Sequence, residues 1–320
     1  MSLYRITAMH IRRQLRAKEE GGDIALAVGN FDGCHIGHRE LLRQARRAAA
    51  GLPFAALTFE PHPLAVLRPG LQVRRLGGVR DKIVLLAACG VDILYLARFD
   101  KKMAETAAEA FCRLLFDGIG AKVVMVGDNF RFGKERRGDI DMLRRIGEKY
   151  GAKVLAAKLL EAGGAVVSSG RIRAAIAKSD FDEAEMLLGK PWLISGRVVR
   201  GKGLGAALGF PTANIHAGFL PPCCGIFAAV AYDNDDINKS AFRRAAAVSI
   251  GVNPTTDGGG RISIEAHLPG FCGDLYGRRM VLRLCRKLRD EQHYESQSAL
   301  KKAIGEDVRA VQNIIRRADY

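Results

Sequence analysis

Two histidines, His35 and His38, sit in the stretch GNFDGCHIGH that runs from Gly29 to His38. Residues three apart share one face of a helix, so both imidazoles can point at one ligand. The stretch follows an apolar run, Ile24 to Val28, and precedes the amphipathic Leu41-Leu42-Arg43-Gln44-Ala45. A strand, a glycine-rich loop and a helix are the expected elements. A helix N-terminus carries free N–H groups and a partial positive charge, which favour a phosphate. Gly33 and Gly37 remove side chains where a phosphate must approach the backbone closely. Plain turn chemistry is the alternative explanation for the glycines. Cys34, His35 and His38 could also hold a metal, but no second Cys/His cluster completes a tetrahedral site.

Further groups with chemical potential follow. Ser168-Ser169-Gly170-Arg171-Ile172-Arg173 places hydroxyls at a helix start with two arginines behind them, which suits a triphosphate. A serine there could equally be a plain N-cap. Asn129 lies between Gly127 and Gly133, with Phe130 and Phe132 able either to wall a flat ring or to join a core. His62, in Glu60-Pro61-His62-Pro63, is a structural loop residue or a ligand contact. Residues 201–214 read GKGLGAALGFPTAN, and glycines 201, 203, 205 and 209 make a loop that could close over phosphates. Thr212 and Asn214 face the same side of an extended chain, and such hard oxygen ligands suit Mg²⁺ shared with a nucleotide. An ordinary turn around Pro211 is the alternative. In Ser263-Ile264-Glu265-Ala266-His267-Leu268, alternation puts Ser263, Glu265 and His267 on one face. A carboxylate on an inward face is costly unless paired or functional, so Glu265 is a candidate general base; a solvated strand face is the alternative.

The 320 residues suffice for two cores. Strands are expected at 24–28, 54–59, 93–97, 122–126 and 153–157, and helices at 38–50, 81–89, 104–117 and 140–150. This alternation predicts a parallel sheet covered by helices, with ligands at the carboxyl ends of the strands. Those ends are where GNFDGCHIGH, the 60–63 loop and the 127–133 loop fall. Near Gly189 the pattern changes to short strands at 192–199, 226–232, 245–250, 262–268 and 280–288. Turn signals at 233–236 and 257–260 separate them, which predicts a closed or nearly closed barrel. Residues 296–317 are amphipathic and should form a helix packed on that barrel.

A formal charge of +16 suggests an anionic partner, either nucleic acid or a polyphosphate. The seven cysteines show no CxxC spacing and read as reduced thiols of a cytoplasmic protein. The first twenty residues lack the apolar core of a signal peptide. The longest apolar region, 83–97, is broken by Gly90 and Asp92, so no membrane span is expected.

Taken together, the motifs resemble those of the bacterial bifunctional riboflavin kinase/FMN adenylyltransferase (FAD synthetase) family. GNFDGCHIGH is similar to its nucleotidyltransferase signature, and TFEPHP (58–63), GDNFRFG (127–133) and SSGRIR (168–173) follow in the family's order. LGFPTAN (208–214) resembles the kinase signature, trailed by SIGVNPT (249–255), IEAHL (264–268), DLYG (274–277) and LRDE (288–291). The resemblance implies a Rossmann-like nucleotidyltransferase domain over 1–188. An antiparallel β-barrel riboflavin kinase domain with a terminal helix follows over 189–320. It implies transfer of the ATP γ-phosphoryl group to riboflavin, with Glu265 as base, Thr212 and Asn214 holding Mg²⁺, and Gly201, Gly203 and Gly205 against the phosphates. It also implies adenylylation of FMN by a second ATP, giving FAD and pyrophosphate. There His35 and His38 polarise the phosphates, and Gly29, Phe31, Asp32, Gly33, Asn129, Ser168, Ser169, Arg171 and Arg173 bind ATP. The implied partners are these small molecules, not nucleic acid or a membrane. Two positions depart from the family: Gly170 replaces its usual threonine, and Ala206 stands near a commonly basic position. His35-Ile36-Gly37-His38 also resembles the class I aminoacyl-tRNA synthetase signature, whose second loop has only Lys101-Lys102-Met103 as a faint counterpart.

Overall fold

The computed structural model describes residues 9–15, 23–201, 203–233, 237–253 and 261–317. Lys202, the turn residues 234–236 and 257–260, and Pro254 and Thr255 of the expected motifs lie outside them. Among the described residues, 9–73 and 79–169 form one compact unit, and 74–78 and 170–317 form a second.

The first unit is built on a six-stranded sheet, with strands β1 (His10–Arg12), β2 (Ile24–Val28), β3 (Phe54–Glu60), β4 (Ile93–Arg98), β5 (Ala121–Gly127) and β6 (Lys153–Ala157). Their order is β1-β4-β3-β2-β5-β6 and every pairing is parallel. All five residues of β2 are buried, as a strand covered on both faces by helices requires. Helices α1 (Ile36–Ala48), α2 (Pro63–Leu67) and α3 (Val79–Ala88) follow β2 and β3. The continuous helix expected over 104–117 is instead divided into α4 (Lys101–Ala104), α5 (Ala108–Arg113) and a π-helical turn at Leu114–Gly118. Asp100 caps α4, the Thr106 hydroxyl bonds back to the Lys102 carbonyl at 3.0 Å, and Ala107 is extended, so a new helix must start after it. Helix α6 (Ile140–Glu148) precedes β6, and a small hairpin, β7 (Glu161–Ala162) and β8 (Ala165–Val166), completes this unit.

The long segment of the second unit starts at Gly170, inside α7 (Ser169–Ala177), and continues with α8 (Phe181–Leu188), which Gly189 ends in the left-handed region at φ 62°. Then come β9 (Leu193–Val199), α9 (Leu204–Ala207), β10 (Thr212–His216), β11 (Gly225–Tyr232), β12 (Arg243–Asn253), β13 (Arg261–His267), β14 (Arg279–Arg289) and α10 (Gln297–Arg317). The six strands close into an antiparallel barrel in the order β10-β13-β12-β11-β14-β9. Sequence patterning located five of them; the sixth, β10, is the PTAN segment itself. Helix α10 packs on β11 and β12, held by Arg289, whose guanidinium grips Asp307 at 2.7 and 3.1 Å.

The boundary expected at 188/189 falls after α8, yet α7 and α8 belong with the barrel. Ala184, Leu187 and Leu188 are fully buried. Phe181 stacks on Trp192 at 6.3 Å and meets Phe227 edge-on at 6.1 Å. Glu185 pairs with Arg283 at 3.0 Å. A barrel fragment starting at Leu188 should therefore be less stable than one starting at Ser169, by about 2 kcal/mol or more from Leu187 burial alone. Urea midpoints of the two fragments test this; equal midpoints would make α8 dispensable to the barrel. No helix among the described residues is long and apolar enough to cross a membrane.

Two candidate active sites

In the first unit the loop after β2 is held in an unusual backbone conformation. Phe31, Gly33 and Cys34 all have positive φ, at 48°, 74° and 44°. For Phe31 and Cys34 this is strain, which surrounding contacts must hold in place. Phe31 is fully buried. The Ser169 hydroxyl donates to the Asp32 carbonyl at 3.0 Å, which joins two segments 137 residues apart in the chain. Behind the loop, buried Thr58 donates to the Asn30 carbonyl at 3.0 Å, and the buried Lys82 ammonium donates to Thr58 at 3.3 Å and to the Phe59 carbonyl at 3.4 Å. Glu60 lies 3.9 Å from the same ammonium. Thr58 opens the TFEPHP stretch, whereas Lys82 does not stand out in the sequence as part of this site. Lys82 reads there as one polar residue before the apolar run 83–88, and its burial appears only in the fold.

His35 is the N-cap of α1, not a residue of its first turn. Its Nδ1 accepts the His38 N–H at 3.3 Å, so one of the helix N–H groups expected to face a phosphate is already taken. A neutral His35 accepting at Nδ1 carries its proton on Nε2, where it is a donor. The two imidazoles stack, with centroids 3.6 Å apart and planes within 17°. Phe31 meets His38 edge-on at 5.3 Å. The His38 Nδ1 atom is buried with no hydrogen-bond partner among the described residues. A Cβ at Gly37 would come within 3.3 Å of the His35 ring, so the glycine there makes room for an imidazole.

Burial above all, then the neighbouring His35 and Lys82, holds the His38 pKa well below the usual histidine value of 6.5. As pH falls, the unfolded chain takes this proton first. The contribution to stability is therefore present above 6.5 and is lost as pH falls from there toward the lowered folded value. One proton limits that loss to about 1.4 kcal/mol per pH unit. Urea midpoints at pH 7.5 and 5.5 should fall further for the natural protein than for His38→Gln; equal falls would show that His38 titrates normally.

The same unit holds a cavity of about 620 Å³ that Gly29 and Asn129 both line. Its walls include Phe59, Phe99, Phe130 and Phe132. Phe132 lines this cavity and is also a core residue. His62 is buried and caps α2, its Nδ1 accepting from the Leu64 N–H at 3.2 Å. Ser168 is exposed at the edge of the first unit. Arg171 and Arg173 fall in the second unit, where the Arg171 guanidinium pairs with Glu183 at 2.9 Å.

In the second unit, β10 and β13 bring the kinase-type residues together. Asn214 is in register with Glu265, and Thr212 with His267. The Thr212 hydroxyl lies 3.4 Å from Glu265 Oε2, at the far limit for donation to that carboxylate. A Cβ at Gly201 would sit 2.2 Å from the Asn214 amide, and one at Gly205 would sit 2.5 Å from the Phe210 carbonyl. The loop can run over Thr212 and Asn214 only because these positions are glycine. Gly203 sits between them at φ 73°, where glycine is the natural residue. Glu265 is not on the barrel's inner face, as the sequence expectation had it. Ile264 and Ala266 fill that face, and Glu265 is half-buried on the opposite one. Alternation fixes which residues share a face but not which face is inside. That opposite face lines a cavity of about 260 Å³ with Gly205, Thr212, His267, Arg289 and Tyr294. Arg289, at the end of β14 in register with Ile226, and Tyr294 were not singled out as site residues; the barrel pairing brings Arg289 to this wall. Thr212 and Asn214 offer side-chain oxygens beside a carboxylate, a donor set that fits a hard divalent cation.

A family model described as FAD synthetase matches residues 17–171, and one described as Riboflavin kinase matches 188–315. The chain is 40% identical over 296 residues to a Pseudomonas fluorescens protein named bifunctional riboflavin kinase/FMN adenylyltransferase, covering 91% of this chain and 93% of that one. An Escherichia coli K12 protein of the same name is 38% identical, with 91% and 92% covered. A Streptococcus pneumoniae crystal structure titled a macrolide-efflux protein superposes with a TM-score of 0.74 at 26% identity, covering 96% of this chain and 99% of that one. Matched along both halves and by relatives of nearly equal extent, the chain belongs to the bifunctional riboflavin kinase/FMN adenylyltransferase family.

Proposed function

We propose that the two reactions are divided between the two units. The protein makes FMN from riboflavin and ATP, then FAD and pyrophosphate from FMN and a second ATP. The register of Asn214 against Glu265, with Thr212 on the same cavity wall, carries this reading. In the barrel, Glu265 takes the proton of the riboflavin 5′-hydroxyl as that oxygen bonds to the γ-phosphorus and ADP leaves. The Thr212 side chain holds the carboxylate in place. Thr212 and Asn214 would hold Mg²⁺, which supplies charge neutralisation at the phosphates. The glycines 201, 203 and 205 let the backbone close over them.

In the parallel-sheet unit, an FMN phosphate oxygen attacks the α-phosphorus of ATP and pyrophosphate departs. No covalent enzyme intermediate is needed, so the protein's task is positioning and charge stabilisation. His35 and His38 donate N–H groups to the phosphates from the start of α1. Asp32, Gly33 and Phe31 shape the loop, with Ser169 as its clamp. The aromatic cavity reached by Gly29 and Asn129 suits the flat flavin ring. ATP as co-substrate and seven free thiols support a cytoplasmic location. Incubating it with riboflavin, ATP and Mg²⁺ and separating the flavins tests the assignment: FMN and then FAD should form, and unchanged riboflavin would refute it.

Gly170 bears on the second reaction. It lies in α7 and is absent from the positive-φ glycines, so a threonine there meets no backbone strain. A hydrogen bond from a hydroxyl to a charged phosphate is worth about 1.5–3 kcal/mol. Gly170→Thr should therefore raise the rate of FAD formation and leave riboflavin phosphorylation unchanged. Slower FAD formation at unchanged melting temperature would show that the site is adapted to glycine.

A further inference from the structure

The GNFDGCHIGH loop contains a thiol that neither reaction uses. Cys34 lies between Gly33 and His35 and is 1% exposed. Its Sγ is 3.8 Å from the Sγ of Cys89, which follows the last residue of α3 and is partly exposed. The two residues are 55 apart in the chain, so only the fold brings them together. Two thiols at van der Waals contact need a closure of less than 2 Å to reach the S–S bond length of about 2.05 Å. Cys34 itself sits at φ 44° in the strained loop, so closing the remaining gap moves that loop and the His35 that follows it.

We propose that Cys34 and Cys89 form a redox modification site that takes a peroxide and silences FMN adenylylation. This rests on the assignment of His35 and His38 to that reaction. The Cys89 thiolate attacks one peroxide oxygen, breaking the O–O bond to give a sulfenic acid and releasing hydroxide. The Cys34 sulfur then attacks the Cys89 sulfur, the S–O bond breaks, and water leaves. In sum two thiols and one hydrogen peroxide give one disulfide and two waters; a dithiol reductant reverses it by exchange. The partly exposed thiol meets the oxidant and the buried one resolves it. Three other cysteines are poorly suited to compete, because burial pushes the thiols of Cys112 and Cys285 up to about 11 and that of Cys223 up to about 12.

The link acts through position. Cys34 immediately precedes the cap residue His35, whose Nδ1 holds the His38 N–H and whose ring stacks on His38. Drawing the Cys34 sulfur toward Cys89 displaces that cap. A misplacement of about 1 Å at a positioned group costs about 100-fold in rate. The barrel unit holds neither cysteine, so riboflavin phosphorylation is untouched.

The test treats the full-length protein with hydrogen peroxide, maps disulfides by peptide mass spectrometry, and assays the two reactions separately. The expected result is a Cys34–Cys89 linked peptide and a 10- to 100-fold loss of FAD formation from added FMN. Phosphorylation should be unchanged and dithiothreitol should restore the loss. Cys89→Ser, and Cys89→Ala as a second variant, should keep basal activity and resist peroxide. Absence of the linked peptide in the folded protein, or equal inactivation of both Cys89 variants, overturns the proposal. A linked protein with full FAD formation also overturns it. In that case His38→Ala separates the causes: loss of FAD formation in this variant leaves the histidine assignment standing, and no loss removes that assignment as well.

Discussion

Glu265→Gln lowers FMN formation by about 10²–10⁴, the usual cost of removing a general base, while added FMN is still converted to FAD. Glutamine keeps the shape of the side chain but cannot take the riboflavin proton. The change should leave the fold intact. Glu265 is half-buried, and Ile264 and Ala266, which fill the barrel's interior on either side of it, are untouched. Thr212 Oγ1 can still donate to an amide oxygen, so the cavity wall keeps its geometry. Chromatographic separation of riboflavin, FMN and FAD after incubation with each substrate measures both reactions in one experiment. Equal losses of both reactions in a folded variant would mean that the two sites are not separate.

His38→Ala gives the reciprocal result. FAD formation falls by about 10²–10³, the typical cost of removing one positioned donor from a developing charge, and FMN accumulates. The imidazole stacks on His35 and packs against Phe31, and its Nδ1 has no partner within the described residues. A buried polar atom left unpaired is costly, and a ligand that pairs with it recovers that cost on binding. Alanine also leaves a space beside His35, so His38→Gln is the control that retains an N–H donor and much of the volume. Partial activity in the glutamine variant and none in the alanine variant would assign the loss to the donor. FAD formation at the natural rate in His38→Ala would exclude the residue from the chemistry.

The sequence foretold the parts of this fold in which periodicity and chemistry agree. Strands β2 and β6 have the bounds expected from the sequence, and β2, buried at all five positions, is apolar throughout as a doubly covered strand must be. The loops at the strand ends were legible for the same reason: glycine, histidine and asparagine interrupt an apolar pattern only where something else demands them. The misses are equally physical. β10 is short and follows a glycine-rich loop, so its residues read as a motif before they read as a strand. The break at Ala107 depends on a side chain bonding to backbone, which periodicity does not register. The place of α7 and α8 with the barrel is a packing result, fixed by Phe181, Glu185 and Trp192. Lys82 was invisible as a site residue because its contact with Thr58 comes from burial behind the loop.

The division of the two reactions is tested most directly by mixing the two disabled variants. Alone, Glu265→Gln given riboflavin and ATP should make little FMN and therefore little FAD, and His38→Ala should stop at FMN. Combined, with Mg²⁺ present, the FMN released by His38→Ala should be adenylylated by Glu265→Gln, and FAD should form at a rate well above the sum of the separate reactions. FAD formation no greater than that sum, although each variant retains its expected single activity, would contradict the assignment of the two reactions to independent sites.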